Sequence, residues 1–371
     1  MTRDFTMFIF VLVSSNLLII LLTTQMLSKK PTSLIHHSDE SNATACIHNV
    51  SDIQRVESDA GYTVCSSLSN YAMDVPSTTR IHYKDGTSAF VSNTGWINGV
   101  SADGGTGWYV SDMINWEHTT FLMFRALIKP DMVYVGFGEW IGPTILYSAQ
   151  LAKASYGFEP DIIAFRSLAL NAKANQCFGD RLRVFSMCIY MHFGELILKD
   201  ATGGSVSSIV DDMSSGPAHL VTGPTTSVRC VTLEHVLSNH SLLNERLFLK
   251  VDTEGAEALL VPSLVPLIHK LKHRPTWFLS KHQNSRYAEP HVQQGFRELT
   301  ALYKCHRYSP ASHQTWLTRE QMLNFKVSSL PSIDDIVVSD PNSNPDLILV
   351  DEDCTTVDKW IQEVVHLFVN R

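Results

Sequence analysis

A doubly wound α/β domain on a mostly parallel sheet, with an N-terminal transmembrane helix before it, is the architecture the sequence predicts. Three observations predict it. Apolar, strand-like runs alternate with stretches of helical spacing from residue 116 to residue 350, the pattern of a parallel sheet covered on both faces. The stretch 133–161, VYVGFGEWIGPTILYSAQLAKASYGFEPD, reads as strand, glycine-bearing turn, helix and a second strand ending in an acidic residue. Residues 5–28 carry no charge and include MFIFVLVSSNLLIILL, long enough to span a thin bilayer as a helix.

In chain order, residues 1–28 read as a signal anchor. A cleaved signal peptide is the rival reading, but no small-x-small cleavage pattern follows the apolar run, which continues TTQMLSKK. Arg3, Lys29 and Lys30 lean toward a cytoplasmic C-terminus. Three N-glycosylation patterns, Asn42 with Thr44, Asn49 with Ser51 and Asn239 with Ser241, lean toward a lumenal one. The preferred reading is a single-pass membrane protein of the secretory pathway, with its main domain in the lumen of the Golgi. Residues 29–70 are rich in Ser, Thr, Asn, His and Asp, lack apolar periodicity and read as a flexible stem.

Residues 71–371 make the main domain. Its lead-in, TRIHYKDG and SAFVSN, suggests a small hairpin, and the tract ADGGTGW at 102–108 reads as a loop. WEHTTFLMFRALI has helical spacing, and MVYVGF is the first buried strand. TILYSAQLAKA is a helix with small residues for close contact with the sheet, SYGFEPD the second strand and IIAFRSLALNAKANQ the next helix. LRVFSMCIYM reads as one third strand, and ELILKDA continues extended. RCVTLEHVLSNH is a short strand leading into a helix, and RLFLKVDTEGAEALL is again strand, turn and helix. PTWFLSKHQ supplies a strand, VQQGFRELTALYKC a helix and DLILVDED a last strand.

A hydrophobic content of 44% can supply a sizeable core, and a net charge of −8 argues against a nucleic-acid partner. The 16 histidines lack metal-site spacing, so no metal site is expected. The seven cysteines are compatible with one to three disulfides.

The chemistry-bearing residues fall in two turns. Gly138 and Gly142 sit where the chain must turn tightly after the first strand. Glu159 comes roughly twenty residues later, where a carboxylate can accept hydrogen bonds from two ribose hydroxyls. Thr144 could cap the helix or face a cofactor, and Asp161 caps the helix beginning IIAF. Asn171 and Asn175 share a helical face and suit packing and capping. Ser186 and Met187, at the end of the third strand, could flank an adenine ring. Asp252 ends the apolar strand LFLKV, so its carboxylate should point into the crevice and orient a substrate hydroxyl or accept its proton. Glu254 sits in the turn. Glu257, three residues on, could share its helical face, and clustered carboxylates favour one acting as a base near neutral pH. His282, after TWFLS, is a candidate general base. Lys250 could pair with a carboxylate or lie along the surface.

Together, GFGEWIGPT, GFEPD, KVDTEGAE and FLSKHQ resemble the FkbM-type methyltransferases over about residues 110–350. The resemblance implies a Rossmann-like class I methyltransferase frame, S-adenosylmethionine as cofactor, and O-methylation of a hydroxyl on a glycan or small metabolite. The family's acidic residue at the end of the first strand aligns with Gly136, where Glu139 or Asp131 could compensate. Two alternatives stand beside this reading. One is a Golgi-type glycosyltransferase, for which Asp351 and Asp353 have the spacing of a metal-binding pair. The other is a catalytically inactive, methyltransferase-fold binding protein, motivated by Gly136.

Overall fold

The computed structural model describes residues 55–57, 63–65, 77–93, 106–111, 113, 116–199, 208–210, 225–282, 284–309, 328–329 and 346–369. The expected membrane span and the patterns at Asn42 and Asn49 lie outside them. Among the described residues, no helix is long and apolar enough to cross a membrane.

Two antiparallel hairpins come first: β1 (Arg55–Glu57) with β2 (Thr63–Cys65), and β3 (Thr78–His82) with β4 (Ser88–Ser92). The first lies within the stretch read as a stem, because three-residue strands are too short to leave an apolar alternation. The second is where the sequence places it. Helix α1 (Thr106–Ser111) takes over the end of the expected loop, and α2 (His118–Leu127) follows. A regular parallel series succeeds them: β5 (Met132–Phe137), α3 (Pro143–Leu151), β6 (Ala154–Phe158), α4 (Ile162–Ala174) and β7 (Leu182–Phe185). Asp161 caps α4, its carboxylate accepting from the Ile163 N–H.

The expected third strand is broken. After β7 the chain bends at Ser186 and Met187, and β8 (Cys188–Ile189) joins a side sheet with β9 (Gly194–Lys199), β10 (Ser208–Val210) and β11 (Thr225–Val231). That sheet runs in the order β10-β9-β11-β8. A disulfide links Cys188 to Cys230 where β8 and β11 lie in register, with Cα atoms 4.5 Å apart.

Helix α5 (Leu233–Asn239) leads back to β12 (Arg246–Val251). Then come α6 (Glu257–Ser263), α7 (Val265–Lys270), β13 (Thr276–Ser280), α8 (Pro290–Ala301), β14 (Cys305–Ser309), β15 (Ser328–Ser329), β16 (Asp346–Val350) and α9 (Cys354–Val369). The sequence signalled neither β14 nor α9. CHRYS has no apolar run, and its place is held by pairing with β16 and by the disulfide from Cys305 to Cys354 at the start of α9.

The main sheet is ordered β15-β14-β16-β13-β12-β5-β6-β7. From β13 to β7 all neighbours are parallel, while β16, β14 and β15 form an antiparallel edge. Alternate side chains of β5 enter opposite layers. Tyr134 packs with Phe124 of α2, Phe248 and Phe278, whereas Val133, Val135 and Phe137 pack with Leu249, Leu260 of α6 and Leu279. Both faces are therefore covered, and the central strands read as continuous apolar runs. The chain runs outward from β5 through β6 to β7, then returns to lay β12 on the other side of β5. The strand order reverses between β5 and β12, and the carboxyl ends at such a reversal are where open α/β sheets hold ligands.

Candidate functional site

Two turns face each other at this switch point. The first follows β5. Gly138 (φ 76°), Trp140 (φ 49°) and Gly142 (φ 105°) all take the left-handed conformation. Both glycines are dictated by packing. A Cβ at Gly138 would stand 1.9 Å from the Asp252 carbonyl oxygen, and one at Gly142 2.7 Å from Leu168. Outer residues brace the turn: Tyr109 Oη and Asn171 Nδ2 donate to the Ile141 carbonyl, and Tyr83 Oη donates to that of Pro143. Asn171 and Asn175 also hold β4, accepting from the Ser92 and Phe90 N–H groups.

Gly136 has a direct explanation. The Glu139 side chain folds back over it, and a Cβ there would lie 1.5 Å from Glu139 Oε1. The Glu139 carboxylate is 1% exposed and accepts from Tyr134 Oη at 2.7 Å and from Thr144 Oγ1 at 2.8 Å. Thr144 thus does not cap α3, where Gly142 occupies the cap position, and its hydroxyl is turned to Glu139. Burial raises the Glu139 pKa against the opposing pull of Lys250 and the two hydroxyls. Of the two carboxylates that could stand in for an acid at 136, Glu139 lies beside Gly136. Asp131 is instead paired with Arg246 at 2.9 Å on the surface.

Glu159 follows β6 and is 4% exposed. Its Oε2 accepts from the Trp140 N–H and its Oε1 from the Asp161 N–H, each at 2.8 Å. Burial pushes its pKa up to about 8, although both backbone donors favour the charged form. Ser186 and Met187 lie at the bend after β7, Ser186 exposed and Met187 half-buried.

The second turn follows β12, with Glu254 (φ 52°) and Gly255 (φ 105°) left-handed. Asp252 is half-buried, and its Oδ2 meets Lys250 Nζ at 3.0 Å. Lys250 is buried rather than lying along the surface, and it also donates to the Gly138 carbonyl, linking the two turns. Burial alone would lower its pKa, but Asp252 and Glu139 outweigh that and leave it raised.

His282 Nε2 stands 3.5 Å from both Asp252 Oδ1 and Glu254 Oε1, and Nδ1 stands 3.3 Å from Glu257 Oε1. Burial would lower its pKa, yet contact with Glu257 and the charges of Asp252, Glu257 and Glu254 raise it to about 10. A general-base role, as the sequence suggests, would require the neutral ring, which these carboxylates disfavour. The expectation that Glu257 shares a face with Glu254 is corrected. Glu257 is 0% exposed and turned inward, accepting from the Gly255 N–H, Thr253 Oγ1 and the His282 N–H. It shapes the turn and backs the histidine.

Sequence reasoning treated Asp252, Glu254 and His282 singly. The structure gathers them into a cluster with metal-ligand geometry, which spacing along the chain could not show because the strands bring it together. The Asp351 and Asp353 pair is committed elsewhere. Asp351 meets Arg274 and Lys304, and Asp353 caps α9 through Thr356. A cavity of about 360 Å³, lined by Met132, Arg246, Arg274, Thr276, Asp351 and Trp360, lies at the amino ends of β5, β12 and β13, away from the two turns.

No family model and no curated protein matches this chain. Among solved structures it is similar to methyltransferase FkbM from Methylobacillus flagellatus, with 11% identity and a TM-score of 0.34, over 59% of this chain and 44% of that one. It is also similar to precorrin-6y C5,15-methyltransferase from Geobacter metallireducens, with 9% identity and a TM-score of 0.28, over 62% and 84% of the two chains. The chain thus spans less than half the length of the first of these.

Proposed function

We propose that this chain is an S-adenosylmethionine-dependent methyltransferase that acts on a hydroxyl of a glycan or small metabolite. The observation that carries this reading is the meeting, at the switch point, of the buried Glu159 carboxylate with the acidic turn of Asp252 and Glu254. It agrees with the mostly parallel sheet and the motifs by which the sequence resembles FkbM-type enzymes.

The residues fit the cofactor. Each Glu159 oxygen accepts one backbone N–H and keeps accepting capacity for a ribose hydroxyl. Glu139 supplies the carboxylate that Gly136 cannot. When bound, S-adenosylmethionine supplies an electrophilic methyl group. Asp252 orients the acceptor hydroxyl and receives its proton, and Lys250 fixes the Asp252 carboxylate.

The proposed location is the lumen of the secretory pathway, with the apolar run at 5–28 as anchor. The disulfides Cys188–Cys230 and Cys305–Cys354 support an oxidising compartment. Gly136 also motivates a second reading, that of an inactive binding protein.

Calorimetric titration of the purified full chain with S-adenosylmethionine and S-adenosylhomocysteine separates the two. Micromolar binding that is lost in Glu159→Ala is the expected result. No binding by the folded protein would overturn the enzyme reading and favour the binding protein.

A further inference from the structure

We infer that Asp252, Glu254 and His282 form a site for one divalent cation of the Mn²⁺ class, open toward the crevice to oxygen ligands of the acceptor. The inference rests on the proposed methyltransferase reading for its use of an acceptor, but not for the ion itself.

The geometry comes from two separate pieces of backbone. Asp252 stands at the carboxyl end of β12, Glu254 in the left-handed turn beyond it, and His282 just past β13, which pairs in parallel with β12. One ligand atom from each lies within 4.8 Å of the other two. Ligands around one small divalent ion at about 2.0–2.4 Å stand roughly 3–4.5 Å apart, so a few tenths of an ångström of closure completes the set.

The second argument is the support behind the histidine. A metal-ligating imidazole commonly turns its other nitrogen toward a carboxylate, which fixes the ring and the tautomer. Here Nδ1 faces the fully buried Glu257 Oε1 at 3.3 Å, and Glu257 is itself anchored by two backbone N–H groups and a hydroxyl. That directs Nε2 to the point where the Asp252 and Glu254 oxygens converge. Asp252 divides its carboxylate, with Oδ2 on Lys250 and Oδ1 turned to His282. One oxygen, Oδ1, therefore remains, with one lone pair for the ion and the other for the acceptor hydroxyl, while the lysine holds Oδ2.

The third argument is charge and donor type. Asp252, Glu254 and Glu257 bring three carboxylates into a partly buried cluster, against which Lys250 is the fixed cation. A divalent ion beside a neutral imidazole would cancel the excess. Two carboxylate oxygens and one imidazole nitrogen, without thiolate, suit Mn²⁺ or a similar hard-to-borderline ion. Three protein ligands on one side leave the remaining positions to water or to substrate oxygens, as in sites where an ion orients a bound hydroxyl. The competing arrangement is an imidazolium ion-paired to the same carboxylates, with no metal.

The test is titration of the purified, metal-stripped full chain with Mn²⁺ alone, read by calorimetry and by the Mn²⁺ electron paramagnetic resonance signal. Saturable binding of one ion is expected, weakened at least about 10-fold by Glu254→Gln and by His282→Ala. S-adenosylhomocysteine affinity should stay within about threefold in both variants. Glu254→Gln removes a charge from a partly exposed side chain, so it remains informative if His282→Ala fails to fold. Absence of saturable binding, or binding that neither variant changes, would overturn the site in favour of the ion pair. Because Glu159→Ala tests the cofactor half separately, loss of one kind of binding with retention of the other shows which proposal has failed.

Discussion

The turn after β5 and the turn after β12 use the same backbone device with opposite electrostatics. Each follows a buried parallel strand and places a bulky residue, Trp140 or Glu254, in the left-handed region, at about 1–2 kcal/mol each. At the first turn the carboxylates of Glu139 and, from the end of β6, Glu159 accept hydrogen bonds from hydroxyl and backbone N–H donors, and burial raises both pKa values against the pull of Lys250. In the second, Asp252 and Glu254 meet Lys250 and His282. One side of the crevice is thus a directional acceptor for neutral hydroxyls, and the other is a charged, polarising surface. That division suits a site in which one molecule is held and a second is activated.

The largest effect expected from breaking this contrast is at Gly136. Gly136→Asp would drive a side chain into the space of Glu139 Oε1, and the protein should fail to accumulate in folded form. Gly136→Asp combined with Glu139→Ala should recover soluble protein, because one carboxylate then replaces the other. Failure of the double variant in expression and thermal-melt assays would show that Glu139 is not the stand-in. Next in size, Asp252→Asn should lower kcat for methyl transfer by about 100- to 10,000-fold with S-adenosylhomocysteine affinity within about a factor of two, because the change falls in the charged turn alone. A matching loss of cofactor affinity would show that the halves are not separable. Smallest, Thr144→Val removes one hydroxyl donor from Glu139 and should cost about 1–2 kcal/mol of stability in urea unfolding. An unchanged midpoint would mean that burial alone sets the state of Glu139.

The frame was legible in the sequence because MVYVGF, LFLKV and TWFLS are central strands covered on both faces, which leaves continuous apolar runs. Less legible was anything decided by long-range pairing. The run LRVFSMCIYM is mostly apolar, yet it divides between two sheets, with Cys188 joined to Cys230 across β8 and β11. Glu159 and Asp252 stand at the strand ends to which the sequence assigned them. The convergence of three carboxylates on His282 could not be read, since they belong to another strand unit. Nor could the inward turn of Glu257, because its partners, the backbone of residues 255 and 282, belong to two separate strand ends.

The most direct test of the account is the affinity of the full chain for S-adenosylhomocysteine between pH 6 and pH 9. The Glu159 carboxyl, with its pKa near 8, is mostly protonated in the free protein at neutral pH. Ribose hydroxyls donate to its ionised form, so binding releases a proton and should tighten about 10-fold per pH unit below 8, then level off. That rise should vanish together with most of the affinity in Glu159→Ala. Affinity that is flat across the range, or that weakens as pH rises, would contradict the assignment of Glu159 as the group that receives the cofactor.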